Sequence, residues 1–333
     1  MAMVLRRLTA LVGGMVVALA LLLSSDVRAA EGKIRIAFGD IESVETLNFL
    51  IAIERAKEKG VAIEVMYLKE EDIAAQAVVS GEADVGVGTP YAMLQKVKAP
   101  IRLFYQMATL RFFPIVNVEY YKDWKDLDGQ EVAVHSRGSG TEAIMKLMAQ
   151  RNGITYSNIS YVAGAEVRAG ALLQGNVKAT IVDAANRRMI EEKAPGKFVV
   201  LPMEGVNASD EALYANTEFL AREQAAVDTF VEALVTTWRE INAEPEAVLE
   251  LRKKYKLLAD LPADLEPEIG PYYVESVASG AFPNNGGGEA AAKDDFSFYG
   301  VAGQLEGDPA TLKVEDFWDF GPLNRVLDKL GRV

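Results

Sequence analysis

Small and hydroxyl-bearing residues crowd Ser136-Arg137-Gly138-Ser139-Gly140-Thr141, directly behind His135. Val132 to Val134 reads as the end of a buried strand, and Ile144, Leu147 and Met148 recur at helical spacing. Strand, Gly/Ser loop and helix in that order aim unpaired backbone N–H groups and the positive end of a helix dipole at one spot. Such a spot accepts anionic or acceptor-rich ligands, so Gly138, Ser139, Gly140 and Thr141 are the first candidate contacts. A plain turn capped by Ser139 or Thr141 has the same composition and binds nothing. No Gly-Lys-Ser/Thr follows, and the third glycine of the dinucleotide fingerprint is missing, so neither nucleotide loop fits.

Other residues carry chemistry at matching places. Gly88, Thr89 and Pro90 open another helix, where capping is the competing role. Asp40 and Ser43 follow the first strand; Asp40 could accept from a ligand amine or ring N–H, and either residue could cap the next helix. Arg111 could hold a carboxylate or sulfonate with both arms of its guanidinium, or serve as a surface hinge residue. Asp183 ends a later strand and could bond ligand or lock two lobes together. Arg168 could brace a helix start or reach the cleft. Tyr91 and Tyr214 could stack on a planar ligand or pack in the core. His135, the sole histidine, sits at the strand end beside the loop and could face the cleft as a ligand contact or be structural; it has no second metal ligand near it, so no metal and no cofactor is expected.

The elements that must position these residues run in two passes. Ile34–Phe38, Val61–Leu68, Ala83–Val87 and Ile101–Met107 read as strands, with helices from Ser43 to Lys59 and from Glu71 to Ser80. The second pass repeats the order: strand Val132–His135, helix Thr141–Arg151, strand Ile159–Val162, helix Val167–Gln174, strand Lys178–Val182. Such repeats bury their sheets only with helices on both faces, which gives parallel α/β lobes. Thr109–Asn117 and Gly205–Asn216 join the lobes. A long amphipathic helix from Thr217 to about Ile241 and a helical tail follow, and the tail is expected to pack on the first lobe and brace the hinge.

Residues 1–30 read as a cleaved signal peptide: Arg6-Arg7, an apolar run from Val12 to Leu23, then Val27-Arg28-Ala29. The mature chain is expected to start at Ala30 or Glu31. No cysteine is present, so an exported protein has no disulfides and no lipid attachment. A net charge of −13 argues against nucleic acid and anionic membrane surfaces.

Leu127-Asp-Gly-Gln-Glu-Val-Ala-Val134 with the Ser/Gly loop, Val79-Ser-Gly-Glu-Ala-Asp-Val-Gly86, and Arg168-Ala-Gly-Ala-Leu-Leu-Gln-Gly-Asn-Val-Lys-Ala179 together carry a resemblance. Over roughly 33–260 the chain resembles type II periplasmic binding proteins of ABC importers, in the nitrate/sulfonate/taurine/thiamine-precursor branch. Lys178 departs from the acid usual there, and the Gly-rich aromatic tail after Ala281 has no counterpart. The resemblance implies two α/β lobes joined by two crossover strands, a Venus-flytrap, with a helical C-terminal tail. It divides the chain into a signal peptide (1–30), the first part of lobe 1 (31–110), lobe 2 with the crossovers (111–213), and the completion of lobe 1 with the tail (214–333). It further implies a periplasmic monomer that captures a small, anionic organic solute and delivers it to an ABC importer permease in the inner membrane. An aminopyrimidine thiamine precursor is the alternative ligand. An exported enzyme on the same fold is the third reading, disfavoured because one histidine and no cysteine leave no nucleophile–base pair.

Overall fold

A computed structural model describes residues 32–333; the expected signal peptide and cleavage point lie outside the described residues. The chain opens with β1 (Gly32–Phe38), α1 (Leu47–Glu58), β2 (Val61–Tyr67), α2 (Glu71–Ser80), β3 (Val85–Gly88), α3 (Tyr91–Val97) and β4 (Ile101–Gln106). A second unit follows: β5 (Phe113–Asn117), β6 (Glu131–Val134), α4 (Gly140–Asn152), β7 (Asn158–Tyr161), α5 (Ala165–Leu173), β8 (Ala179–Val182), α6 (Ala184–Lys193) and β9 (Phe198–Val200). The chain then returns through β10 (Ala212–Asn216) to α7 (Thr217–Arg222), α8 (Gln224–Ala243), α9 (Ala247–Tyr255), α10 (Ile269–Ala278), α11 (Glu289–Val301) and α12 (Gly321–Leu330).

Two five-stranded sheets result, ordered β2-β1-β3-β10-β4 and β7-β6-β8-β5-β9. The repeated strands of each unit are parallel, and each sheet takes in one antiparallel strand, β10 in the first and β5 in the second. Both antiparallel strands are the far ends of the crossovers. A chain that leaves one sheet and enters the next without an intervening helix arrives running the other way. The crossovers touch each other where Thr109 bridges Ser209.

Period-two burial sets the faces. Ile34, Ile36 and Phe38 of β1 enter one core with α1 and α8, while Ala37 enters the other with α2. In the second sheet Ile115 joins the first core and Val116, Val132 and Val134 the second. Each core therefore runs through both lobes.

Two local expectations change. The first helix starts at Leu47 rather than at Ser43, because the Ser43 N–H donates to Thr46 Oγ1 and the Thr46 hydroxyl donates back to the Ser43 carbonyl. That closed turn uses both groups before the helix begins. The long helix expected from Thr217 is broken at Glu223 into α7 and α8. The tail has a definite place: the Leu103 N–H donates to the Phe317 carbonyl and the Asp319 N–H to the Leu103 carbonyl, which covers the edge of β4. From α11, buried Asp295 accepts from the Tyr91 hydroxyl (2.6 Å) and the Ser209 N–H (2.6 Å), and the Tyr299 hydroxyl donates to the Ser209 carbonyl (2.7 Å). Burial raises the Asp295 carboxyl to about 7. The tail thus clamps the second crossover one residue before Asp210.

Candidate functional site

The carboxyl ends of the parallel strands in both lobes face one small cavity, the usual crevice of open α/β sheets. From the first lobe and second crossover come Asp40, Glu45, Glu71, Asp210 and Glu211. From the second lobe come His135, Ser139, Gly140, Thr141, Ala165 and Arg168. Its free volume is about 30 Å³, room for a head group the size of an ammonium or amino group.

Asp40 and Glu71 arrive by local rules. Asp40 follows β1, and its Oδ1 accepts from the Ile41 N–H at 2.8 Å. Glu71 is the first residue of α2, where a negative side chain suits the helix dipole. Its Oε2 accepts from the Thr89 N–H at 3.5 Å and lies against Gly88, where any Cβ would stand 2.7 Å from that oxygen. Gly88 also has φ +133°, a second reason for glycine there. Asp210 and Glu211 follow the clamped Ser209.

Crowding changes how these groups ionise. Burial, then the charge of Asp210, pushes Glu71 up to about 8. Burial, opposed by a hydrogen bond with Glu45, leaves Asp210 at about 7. Glu45 and Glu211 are held well above the usual carboxylate range by burial and by the charge of Asp210.

The cations do not cancel this charge as free ligand-binding arms would. Arg168 is buried, and donates from Nε to the Ile181 carbonyl (3.0 Å) and from Nη1 to the Val162 carbonyl (2.8 Å). Arg111 does not line the cavity; it donates to the Leu110 and Ser279 carbonyls at 2.7 and 3.1 Å. Both guanidiniums brace backbone. The Gly/Ser loop is similarly occupied. Ser139 Oγ donates to the Ser136 carbonyl (2.8 Å) and accepts from the Glu142 N–H (3.2 Å) as the cap of α4. Thr141 Oγ1 accepts from the His135 N–H (3.0 Å). Gly140 lets the lobes meet: a Cβ there would lie 2.5 Å from Leu110 and 3.3 Å from Asp210 Oδ1.

His135 crosses the cleft. Its Nε2 lies 2.9 Å from the Gly39 carbonyl, and the Gly164 N–H donates to Nδ1 at 3.4 Å. This pairing requires the proton on Nε2 and a neutral ring, and burial pushes its ionisation down. The remaining expected contacts separate from the cavity. Gly88, Thr89, Pro90 and Gly138 line a neighbouring apolar pocket. Ser43 is buried in its turn, and Asp183 caps α6 through the Asn186 N–H (2.8 Å). Tyr91 is buried against the tail. Among the described residues, no group of three or more His, Cys, Asp or Glu could hold a metal ion, and no helix is long and apolar enough to cross a membrane.

Sequence reasoning left Glu45, Glu71, Asp210 and Glu211 out of the candidate contacts. One signal was present: Glu71 opens the helix behind β2, the position that Ser139 and Gly140 occupy behind β6.

The family model described as NMT1/THI5 like matches residues 47–248. No curated protein matches the chain. Among solved structures, a protein of Bordetella bronchiseptica RB50 is similar at 20% identity and TM-score 0.73, covering 91% of this chain and 99% of that one. The alkanesulfonate-binding protein SsuA of Xanthomonas axonopodis pv. citri, bound to MOPS, shares 14% identity at TM-score 0.62, covering 86% and 98%. The periplasmic nitrate-binding protein NrtA of Synechocystis PCC 6803 shares 11% at TM-score 0.64, covering 90% and 89%. At these identities the likeness is one of fold.

Proposed function

The chain belongs to the NMT1/THI5-like family and has the periplasmic-binding-protein fold, and from that premise we propose that it is an exported solute-binding protein whose ligand carries a cationic or donor-rich nitrogen group. The observation that carries this reading is the meeting of Asp40, Glu45, Glu71, Asp210 and Glu211 at the strand ends. A bound ammonium, amidine or aminopyrimidine edge gives those carboxylates the positive charge or donors they lack. The anionic solute expected from the sequence fits poorly, because the guanidiniums of Arg111 and Arg168 are committed to carbonyls and an anion would enter among carboxylates. The aminopyrimidine alternative suits this wall better than a sulfonate does.

Binding without chemistry agrees with the site, since His135 is held by Gly39 and Gly164 and the chain has no cysteine. In this reading the lobes part about the two crossovers, admit the solute, close on it, and present a surface to an importer permease in the inner membrane. A thermal-shift screen of the mature protein at pH 8 tests the ligand class. Amines and aminopyrimidines are expected to raise the midpoint by mass action, while nitrate and alkanesulfonates leave it in place. A rise with the anions alone would overturn the cationic reading.

A further inference from the structure

Glu71 lines two spaces at once. On one side is the acidic cavity of about 30 Å³, and on the other an almost wholly apolar pocket of about 300 Å³ between α2, α3 and the Gly/Ser loop. Ala75, Ala92, Met93 and Val97 supply its apolar wall, and Asp72, Lys96 and Arg137 also line it.

We propose that this pocket is the second compartment of the ligand site. It takes the apolar body of the solute whose cationic head sits in the acidic cavity, with Glu71 at the junction. The proposal rests on the cationic reading above and adds the rest of the molecule. The cavity has room for a head group only, whereas the pocket has ten times its volume and borders the same carboxylate. The class of ligand is then an amphipathic cation: an ammonium, amidine or aminopyrimidine head joined to an apolar, preferably flat, body. Met93 and Ala92 would set how large a body fits.

The test is calorimetric titration of the mature protein with methylammonium, n-butylammonium and 2-phenylethylammonium at pH 8. Affinity should climb along the series, by roughly tenfold or more from first to last, as apolar area enters the pocket. Ala92→Phe, at a half-buried position on α3, takes up pocket volume. It should erase most of the gain for 2-phenylethylammonium and leave methylammonium within about twofold of wild type. The three wild-type titrations decide the matter even if that variant folds poorly. Equal affinity along the series, with the variant silent, would overturn the second compartment and leave the cationic head site standing. Absence of binding by all three ions would overturn the head site and the compartment together.

Discussion

The two lobes repeat one order of strands and helices yet bring opposite materials to the cleft. The first lobe and second crossover present carboxylates, four of them held above their usual range. The second lobe presents a capped Gly/Ser loop, a neutral histidine and an arginine turned onto its own backbone. The difference separates two jobs that a duplicated fold could have shared. In the proposed reading the acidic wall chooses the ligand's charge, and the second lobe closes against it through His135 and Gly140, with Arg168 held to backbone carbonyls.

Exchanging charge on the acidic wall is the strongest way to break this division. Glu71→Lys puts an ammonium at the junction where the bound cation is expected. It should weaken binding of 2-phenylethylammonium by about 3 kcal/mol or more in a calorimetric titration, as like charges at close quarters do. The ligand-free variant should melt no lower than wild type at pH 8, since the new charge meets carboxylates. Retained affinity would move the head site away from Glu71.

The pH dependence follows from the same wall. Glu71 at about 8 and Asp210 at about 7 hold protons in the native chain that the unfolded chain has already released. Their share of the ligand-free stability is therefore full below the ordinary carboxylate range and is lost as pH rises through about 8. Urea melts from pH 5 to 9 should show stability falling steadily, by several kcal/mol at about 1.4 kcal/mol per pH unit for each group still protonated. Affinity for a cation should rise over pH 6 to 8.5, because binding favours the ionised carboxyls. Affinity that falls across that range would contradict the assignment.

Substitutions on the second lobe and hinge sharpen the contrast from the other side. Ser139→Ala removes the cap of α4 and should cost about 1 kcal/mol of unfolding stability in a urea melt, with affinity nearly unchanged. A loss of affinity without a loss of stability would return the Gly/Ser loop to the role of ligand contact. Arg111→Ala should change affinity least, by under about 0.5 kcal/mol, because its guanidinium bonds Leu110 and Ser279 rather than the cavity.

The parts legible in the sequence were those set by local rules. Alternating β1, the helix Glu71–Ser80 ended by Gly81, and the strand–loop–helix around Ser139 all follow from period, caps and turn residues, and so does the two-lobe architecture built from their repetition. What local rules could not show is which side chains the fold gathers. Asp210 and Glu211 stand in an irregular crossover far from Asp40 and Glu71 in sequence, and backbone hydrogen bonds to Met107 and Ala108 together with the Ser209 clamp from α11 set them there. Arg111 stayed open between ligand cation and hinge residue because one of its acceptors, the Ser279 carbonyl, comes from a distant part of the chain. An anion was expected from a helix start and an apparently available arginine; the charge of the cavity comes from long-range contacts.

The measurement that bears most directly on the acidic wall is a calorimetric titration of the mature protein at pH 8 with two ligands of one shape and opposite charge, 2-phenylethylammonium and 2-phenylethanesulfonate. The account expects saturable binding of the ammonium and none of the sulfonate. Binding of the sulfonate with the ammonium inert would show that the carboxylates at the strand ends do not select the ligand.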